Sequence, residues 1–241
     1  MPVADAYAAF LAVQTSRPAE WMRLMSDTIH PNLRGHVLLA ETAASTLTGQ
    51  PEKLGELPVL YPRLPHTLAS LQAGVPLQVV AMKPFDALIA PALRRLFPNA
   101  TVHVTTWNPA GKSLPELESE AKQAGWRKFR DQPTATRPDL VVVAVPADAS
   151  AATREKAYRS YAWVLNWSQD MGKPGRWDCL AVLPSVAQPG LNDTQRAAEE
   201  LAREVILDKD LPVIQRAPGE TPDAAEIFSR QLAALLRSAP P

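Results

Sequence analysis

The chain has 241 residues, 46% of them hydrophobic, enough for one sizeable α/β domain with an appendage or for two small domains. Twenty-five basic side chains balance twenty-five acidic ones, so no electrostatic attraction to nucleic acid or to an anionic membrane surface is expected. The single cysteine, Cys179, excludes an intramolecular disulfide and a cysteine-based metal cluster, and its apolar setting between Trp177 and Leu183 predicts a buried small hydrophobe.

The first residues, Met1-Pro2-Val3-Ala4-Asp5, have neither the basic start nor the apolar stretch of a signal peptide. No uninterrupted apolar run approaches membrane-spanning length, so a soluble chain is expected, its compartment left open. A helix is predicted from about Leu33, with Leu33, Val37, Ala40, Ala44 and Leu47 on one face at steps of three and four. Proline, at 24 residues, is about twice as frequent as usual. Its densest stretch, Gly49 to His66 with Pro51, Pro58, Pro62 and Pro65, reads as an extended linker, because proline removes donors and disfavours helix in the preceding residue. The expected division is an arm over 1–48, a linker over 49–66 and a body over 67–241.

In the body, strand-length apolar runs alternate with helical patterns. Strands are predicted at Leu77–Met82, Thr101–Thr106, Asp139–Val145, Asp178–Leu183 and Leu211–Gln215. Helices are predicted at Pro84–Phe97, with Pro91 kinking it or marking a new start, then at Leu114–Phe129, Ala151–Trp167, Asp193–Leu207 and Pro222–Leu236. Five strands joined by helices, with no room for hairpins, predict a three-layer α/β/α fold on an open parallel sheet. Ligands bind such sheets beyond the carboxyl ends of the strands, so the turns after Met82, Thr106, Val145, Leu183 and Gln215 are the ones to search.

The sharpest motif lies in the arm, in Asp27-Thr28-Ile29-His30-Pro31-Asn32 and on through Gly35-His36. A carboxylate three residues before a histidine can fold back onto the imidazole, fix its tautomer and stabilise the imidazolium, which is the orienter-and-base half of a serine triad. An aspartate capping a helix beside a surface histidine is the plainer reading of the bare pattern. The whole block resembles the last sequence block of SGNH (GDSL-type) hydrolases, which supplies the catalytic aspartate and histidine before the C-terminal helix. The resemblance implies His30 as general base and Asp27 as its partner. It also implies a five-stranded flavodoxin-like sheet for the body and an ester or acyl hydrolase lineage, with an ester or acetylated carbohydrate as substrate and no cofactor. His36 lies beyond the block.

The motif order departs from that family, in which the nucleophile block precedes the sheet's remaining strands and the Asp-x-x-His block ends the domain. After the first strand, where the family has Gly-Asp-Ser, this chain has Lys83-Pro84-Phe85-Asp86. Gly111 matches the family's oxyanion glycine, whereas Val145-Pro146-Ala147-Asp148 keeps only the final aspartate of Gly-x-Asn-Asp. No histidine follows His103. A missing oxyanion donor alone costs about 10²–10³ in rate, so the body reads as a degenerate, non-catalytic copy. Three arrangements stay open: an arm that ends an upstream SGNH domain, a permuted chain that completes its own site, or an arm that pairs with another subunit in a homo-oligomer. A binding module is a further alternative, with Lys83, Gly111 and Asp148 as the crevice.

Weaker signals have plain readings. Ala110-Gly111-Lys112-Ser113 mimics the end of a P-loop but lacks the first glycine, Thr106 standing there. Ser113 and Ser185 lie nearest to strand ends and could be relocated nucleophiles, but Ser185, in Leu183-Pro184-Ser185-Val186, lacks the glycines of a nucleophile elbow, and capping or loop roles are the plainer reading of both. Tyr158, Tyr161, Trp163, Trp167 and Trp177 could form a sugar-stacking surface, but helix-to-sheet packing gives the same spacing. Four scattered histidines make no metal ligand set.

Overall fold

The computed structural model describes residues 2–27, 29–55, 59–124, 137–170 and 175–237. The chain divides into two compact units, residues 1–59 with 207–210, and residues 60–206 with 211–241.

Unit 1 carries α1 (Ala6–Ser16), α2 (Pro18–Met22) and α3 (Leu33–Thr48). Each start has a local cause. Asp5 accepts the Ala8 N–H at α1, Pro18 opens α2 where a missing N–H costs nothing, and Asn32 accepts the Gly35 N–H at α3. Helix α3 stops at Gly49, whose φ of 71° turns its N–H back to the Ser45 carbonyl. The apolar stripe of α3 is not a core, since Leu47 is 78% exposed, and Gly35 is its buried residue. Trp21, Met22 and Met25 are half-buried.

Unit 2 begins with α4 (Pro65–Gln72) and continues through β1 (Leu77–Met82), α5 (Asp86–Leu96), β2 (Val102–Trp107), α6 (Leu114–Ala124) and β3 (Leu140–Val143). Next come α7 (Arg154–Ser168), β4 (Asp178–Val182), α8 (Asp193–Asp208), β5 (Val213–Ile214) and α9 (Ala224–Leu235). The strands form one parallel sheet in the order β2-β1-β3-β4-β5, the flavodoxin-like order expected. Val79 lies opposite Leu140, and Leu140 opposite Asp178. Strands β3 and β4 are buried along their whole length, as their unbroken apolar runs require, whereas edge strand β2 buries only Val102. Helices α5 and α9 pack together, and so do α6 and α7.

The structure corrects several boundaries. The third and fifth strands are shorter than their apolar runs, because pairing with their neighbours ends at Val143 and Ile214. Helix α5 runs through Pro91 without a new start. The predicted Leu114–Phe129 helix is described as far as Ala124, and its last residues lie outside the described ones, as does Pro58. Pro65 and His66 open α4 instead of closing an extended linker, since proline's fixed φ suits a helix's first turn.

Two carboxylates at the amino ends of the strands hold α4. Asp178 accepts the N–H groups of His66 (3.4 Å) and Thr67 (2.7 Å), and Asp139 accepts the Gln78 N–H (2.7 Å) while bonding His66 Nε2 at 2.9 Å. The Asp139 bond raises the His66 pKa above its ordinary value against the opposing effect of burial. Burial pushes Asp178 up, although the Thr67 amide works the other way. At the β5 edge of the sheet, Gln231 of α9 bonds the backbone N–H and C=O of Gln215, just beyond β5.

Candidate functional site

The segment before α3 closes on itself. Met25 and Pro31 form an antiparallel bridge, the Ser26 N–H donates to the His30 carbonyl (2.8 Å), and the Asn32 N–H donates to the Leu24 carbonyl (2.9 Å). A Cβ on Gly35 would lie 2.3 Å from the Leu24 carbonyl oxygen and 2.6 Å from Pro31 Cβ, so only glycine lets α3 start against this loop. The Asn32 side chain also donates to the Arg23 carbonyl (2.7 Å). Within the same unit, Arg23 and Arg34 converge on the Asp208 carboxylate at 2.9 and 3.0 Å, and Lys209 donates to the Ser26 carbonyl at 3.2 Å.

That scaffold fixes Asp27 and His30. Asp27 Oδ1 accepts the N–H groups of Ile29 and His30, both at 2.8 Å, and Oδ2 meets His30 Nδ1 at 2.7 Å. The Asp27 side chain is 4% exposed and the His30 side chain 66%. Partial burial works to raise the Asp27 pKa, but the Ile29 amide, the His30 ring and the His30 amide outweigh it and hold the carboxyl below its ordinary value. Nδ1 is engaged by Asp27, and no described residue bonds to Nε2. This is the geometry of an orienting carboxylate and a general base.

At the carboxyl ends of the unit 2 strands, the described residues at the positions singled out from the sequence are engaged in other contacts. Beyond β1, Phe85 is buried against Phe228, with ring centroids 5.1 Å apart, where a nucleophile turn would need an open hydroxyl. Asp86 accepts the Thr106 hydroxyl at 2.7 Å. In the P-loop-like turn, Lys112 is tied to the Asn108 carbonyl and to Glu120, both at 2.6 Å, and Glu116 takes both the amide and the hydroxyl of Ser113. The cation and hydroxyl a phosphate would need are thus engaged. Ser185 is buried, and its Oγ has no partner. His66 lies at the amino ends of the strands and His103 near the start of β2, so neither can serve a serine at the carboxyl ends.

Of the three residues expected to share a crevice, only Asp148 lines a described cavity. That cavity, of about 520 Å³, lies between the first turns of α7 and α8, among Ala147, Ala157, Tyr161, Ala198 and Leu201. Lys83 and Gly111 stand exposed elsewhere on unit 2. A second cavity of about 830 Å³ opens beyond β4 and β5, walled by Glu199, Arg203, Gln215 and Arg216. It adjoins two of the turns that the parallel-sheet rule singled out, those after Leu183 and Gln215, but no motif marked its charged wall residues, which come from segments far apart in the chain. Tyr158, Tyr161 and Trp177 are buried packing residues, whereas Trp163 and Trp167 stack on each other at 5.4 Å, half-buried. Cys179 is buried. Among the described residues, no three His, Cys, Asp or Glu side chains group as a metal site, and no helix is long and apolar enough to cross a membrane.

No family model matches the chain, and no curated protein matches it. Solved structures with a similar fold include a two-domain esterase active on acetylated mannans, alone and co-crystallised with mannopentaose. Each is 14% identical, with a TM-score of 0.50 over 74% of this chain. The match covers 55% and 56% of the esterase chains, so this chain spans little more than half of their length. At that identity, the likeness establishes a shared α/β fold with a five-stranded parallel sheet.

Proposed function

We propose that the chain belongs to the SGNH ester-hydrolase lineage, with unit 1 supplying the orienter and base of a site whose nucleophile lies on another segment or subunit. The observation that carries this reading is the Asp27–His30 pair, bonded at 2.7 Å on a braced loop with no described residue bonded to Nε2. In the completed site, His30 Nε2 takes the proton of an attacking serine hydroxyl, and Asp27 stabilises the imidazolium. His30 then returns that proton to the departing alcohol, and it activates water to release the acyl group. Unit 2 is the non-catalytic partner, since Phe85, Pro146 and Ala147 stand where a nucleophile and oxyanion donors would be needed. An acetylated carbohydrate is the proposed substrate, supported by the fold shared with an esterase active on acetylated mannans.

The test compares the chain alone with the chain expressed together with the coding segment upstream in its genome. Alone, it should release acetate from acetylated mannan and from 4-nitrophenyl acetate no faster than its His30→Ala variant. In the longer form, activity should appear and fall by about 10³-fold or more in His30→Ala. Stoichiometric labelling of a serine in the isolated chain by a fluorophosphonate probe, lost in His30→Ala, would instead establish a complete site within it.

A further inference from the structure

The 830 Å³ cavity beyond β4 and β5 is built from a connected polar wall within unit 2. Glu199, only 8% exposed, accepts the Ser185 N–H at 2.6 Å and pairs with Arg203 at 3.2 Å. Arg203 also pairs with Glu200 and donates to Gln215 Oε1 at 3.2 Å. Arg216 donates to four carbonyl oxygens, those of Ser185 (2.7 Å), Val186 (3.1 Å), Glu220 (2.8 Å) and Pro222 (2.8 Å), and so fastens the turn after β4 to the loop after β5. These bonds hold the wall's charged and amide side chains to one another and to the backbone of both loops.

The charges select the ligand class. An anion entering here would face Glu199 and Glu200, and a cation would face Arg196, Arg203 and Arg216. An apolar ligand would strip water from these groups without replacing its hydrogen bonds. A neutral polyhydroxylated ligand meets none of these penalties, because each hydroxyl both donates and accepts and no ion pair has to break. The volume lies within the usual range for small-ligand sites, about 300–1,000 Å³. We infer that this cavity is a non-catalytic saccharide subsite. The inference goes beyond the proposed hydrolase reading and does not depend on Asp27 or His30.

The test is a titration of the ¹⁵N-labelled chain with mannopentaose, xylopentaose and cellopentaose, read by amide shifts and saturation-transfer difference. At least one glycan should perturb the Gln215, Ala217 and Gly219 amides, with a Kd of about millimolar order. The double variant Glu200→Ala/Gln215→Ala removes two wall side chains and leaves the Glu199–Arg203 pair. It should weaken that binding about tenfold while keeping the amide dispersion of the wild-type fold. Three results would overturn the inference: no saturation transfer from any of the glycans at about ten times that concentration, equal binding by the double variant, or displacement of the bound glycan by sulfate.

Discussion

In unit 1 the chain enters α3 through a loop organised by Asp27, and in unit 2 it enters α9 through a loop organised by Glu220. Both carboxylates accept a backbone N–H with one oxygen, from Ile29 and His30 in the first loop and from Ala217 in the second. Both helices then start on a side-chain cap, Asn32 to the Gly35 N–H and Asp223 to the Glu226 N–H. In both loops the other carboxylate oxygen meets a nitrogen side chain, His30 in unit 1 and Arg230 in unit 2. An imidazole gains and loses a proton near neutrality, whereas a guanidinium keeps its charge at any pH a protein survives. Similar loop plans thus set an imidazole against the carboxylate in one unit and a permanent cation in the other, and only the first suits the proton transfer proposed above.

Several substitutions would break or sharpen this contrast. Gly35→Ala forces a Cβ into the Leu24 carbonyl and should cost about 3 kcal/mol, read as a fall in the thermal midpoint of unit 1. Arg216→Met leaves four carbonyls without their charged donor, and a loss of about 2 kcal/mol is expected in denaturant titrations at constant m-value. Asp27→Ala removes the acceptor of two loop amides and should cost about 1 kcal/mol at neutral pH. Because the folded Asp27 pKa lies below 3.8, its contribution is present above that value and is lost as pH falls through the lowered one, so the penalty should vanish in acid. His66 has the opposite sign. Its raised pKa makes its contribution complete below 6.5 and lost as pH rises through the folded value, so unit 2 should weaken from mildly acid to alkaline pH, and His66→Gln should flatten that slope. The smallest effect is expected for Ser185→Ala, within about 0.5 kcal/mol of the parent or slightly stabilising, because it deletes a buried hydroxyl that has no partner.

The sheet was legible because β3 and β4 are buried on both faces, and such strands leave unbroken apolar runs in the sequence. The Asp27–His30 contact was legible because three residues separate the partners and local geometry suffices to join them. Helix α1 was missed because apolar residues such as Tyr7 and Leu11 are exposed on it, leaving no burial stripe to read. Helix α4 was hidden by Pro65, since a proline that opens a helix looks in sequence like one that prevents it. Lys83, Gly111 and Asp148 share a sheet end by topology, but of the three only Asp148 lines either of the two cavities described above. The 830 Å³ cavity joins Ser185 to Arg216 across 31 residues, and no local pattern announces such a contact.

The amide of Gln231, lying on the backbone of Gln215, acts as a one-residue counterfeit strand. Edge strands invite the sheets of other molecules to pair with them and so seed polymerisation. Here the β5 edge offers only two strand residues, and the next backbone donor and acceptor along it are already taken by a side chain that cannot pass the ladder on. The six-residue strand β2 forms the other edge of the sheet. A strand arriving along the β5 edge would thus find two residues to pair with and then a side chain that ends the ladder, so this edge is a poor template for sheet-to-sheet growth.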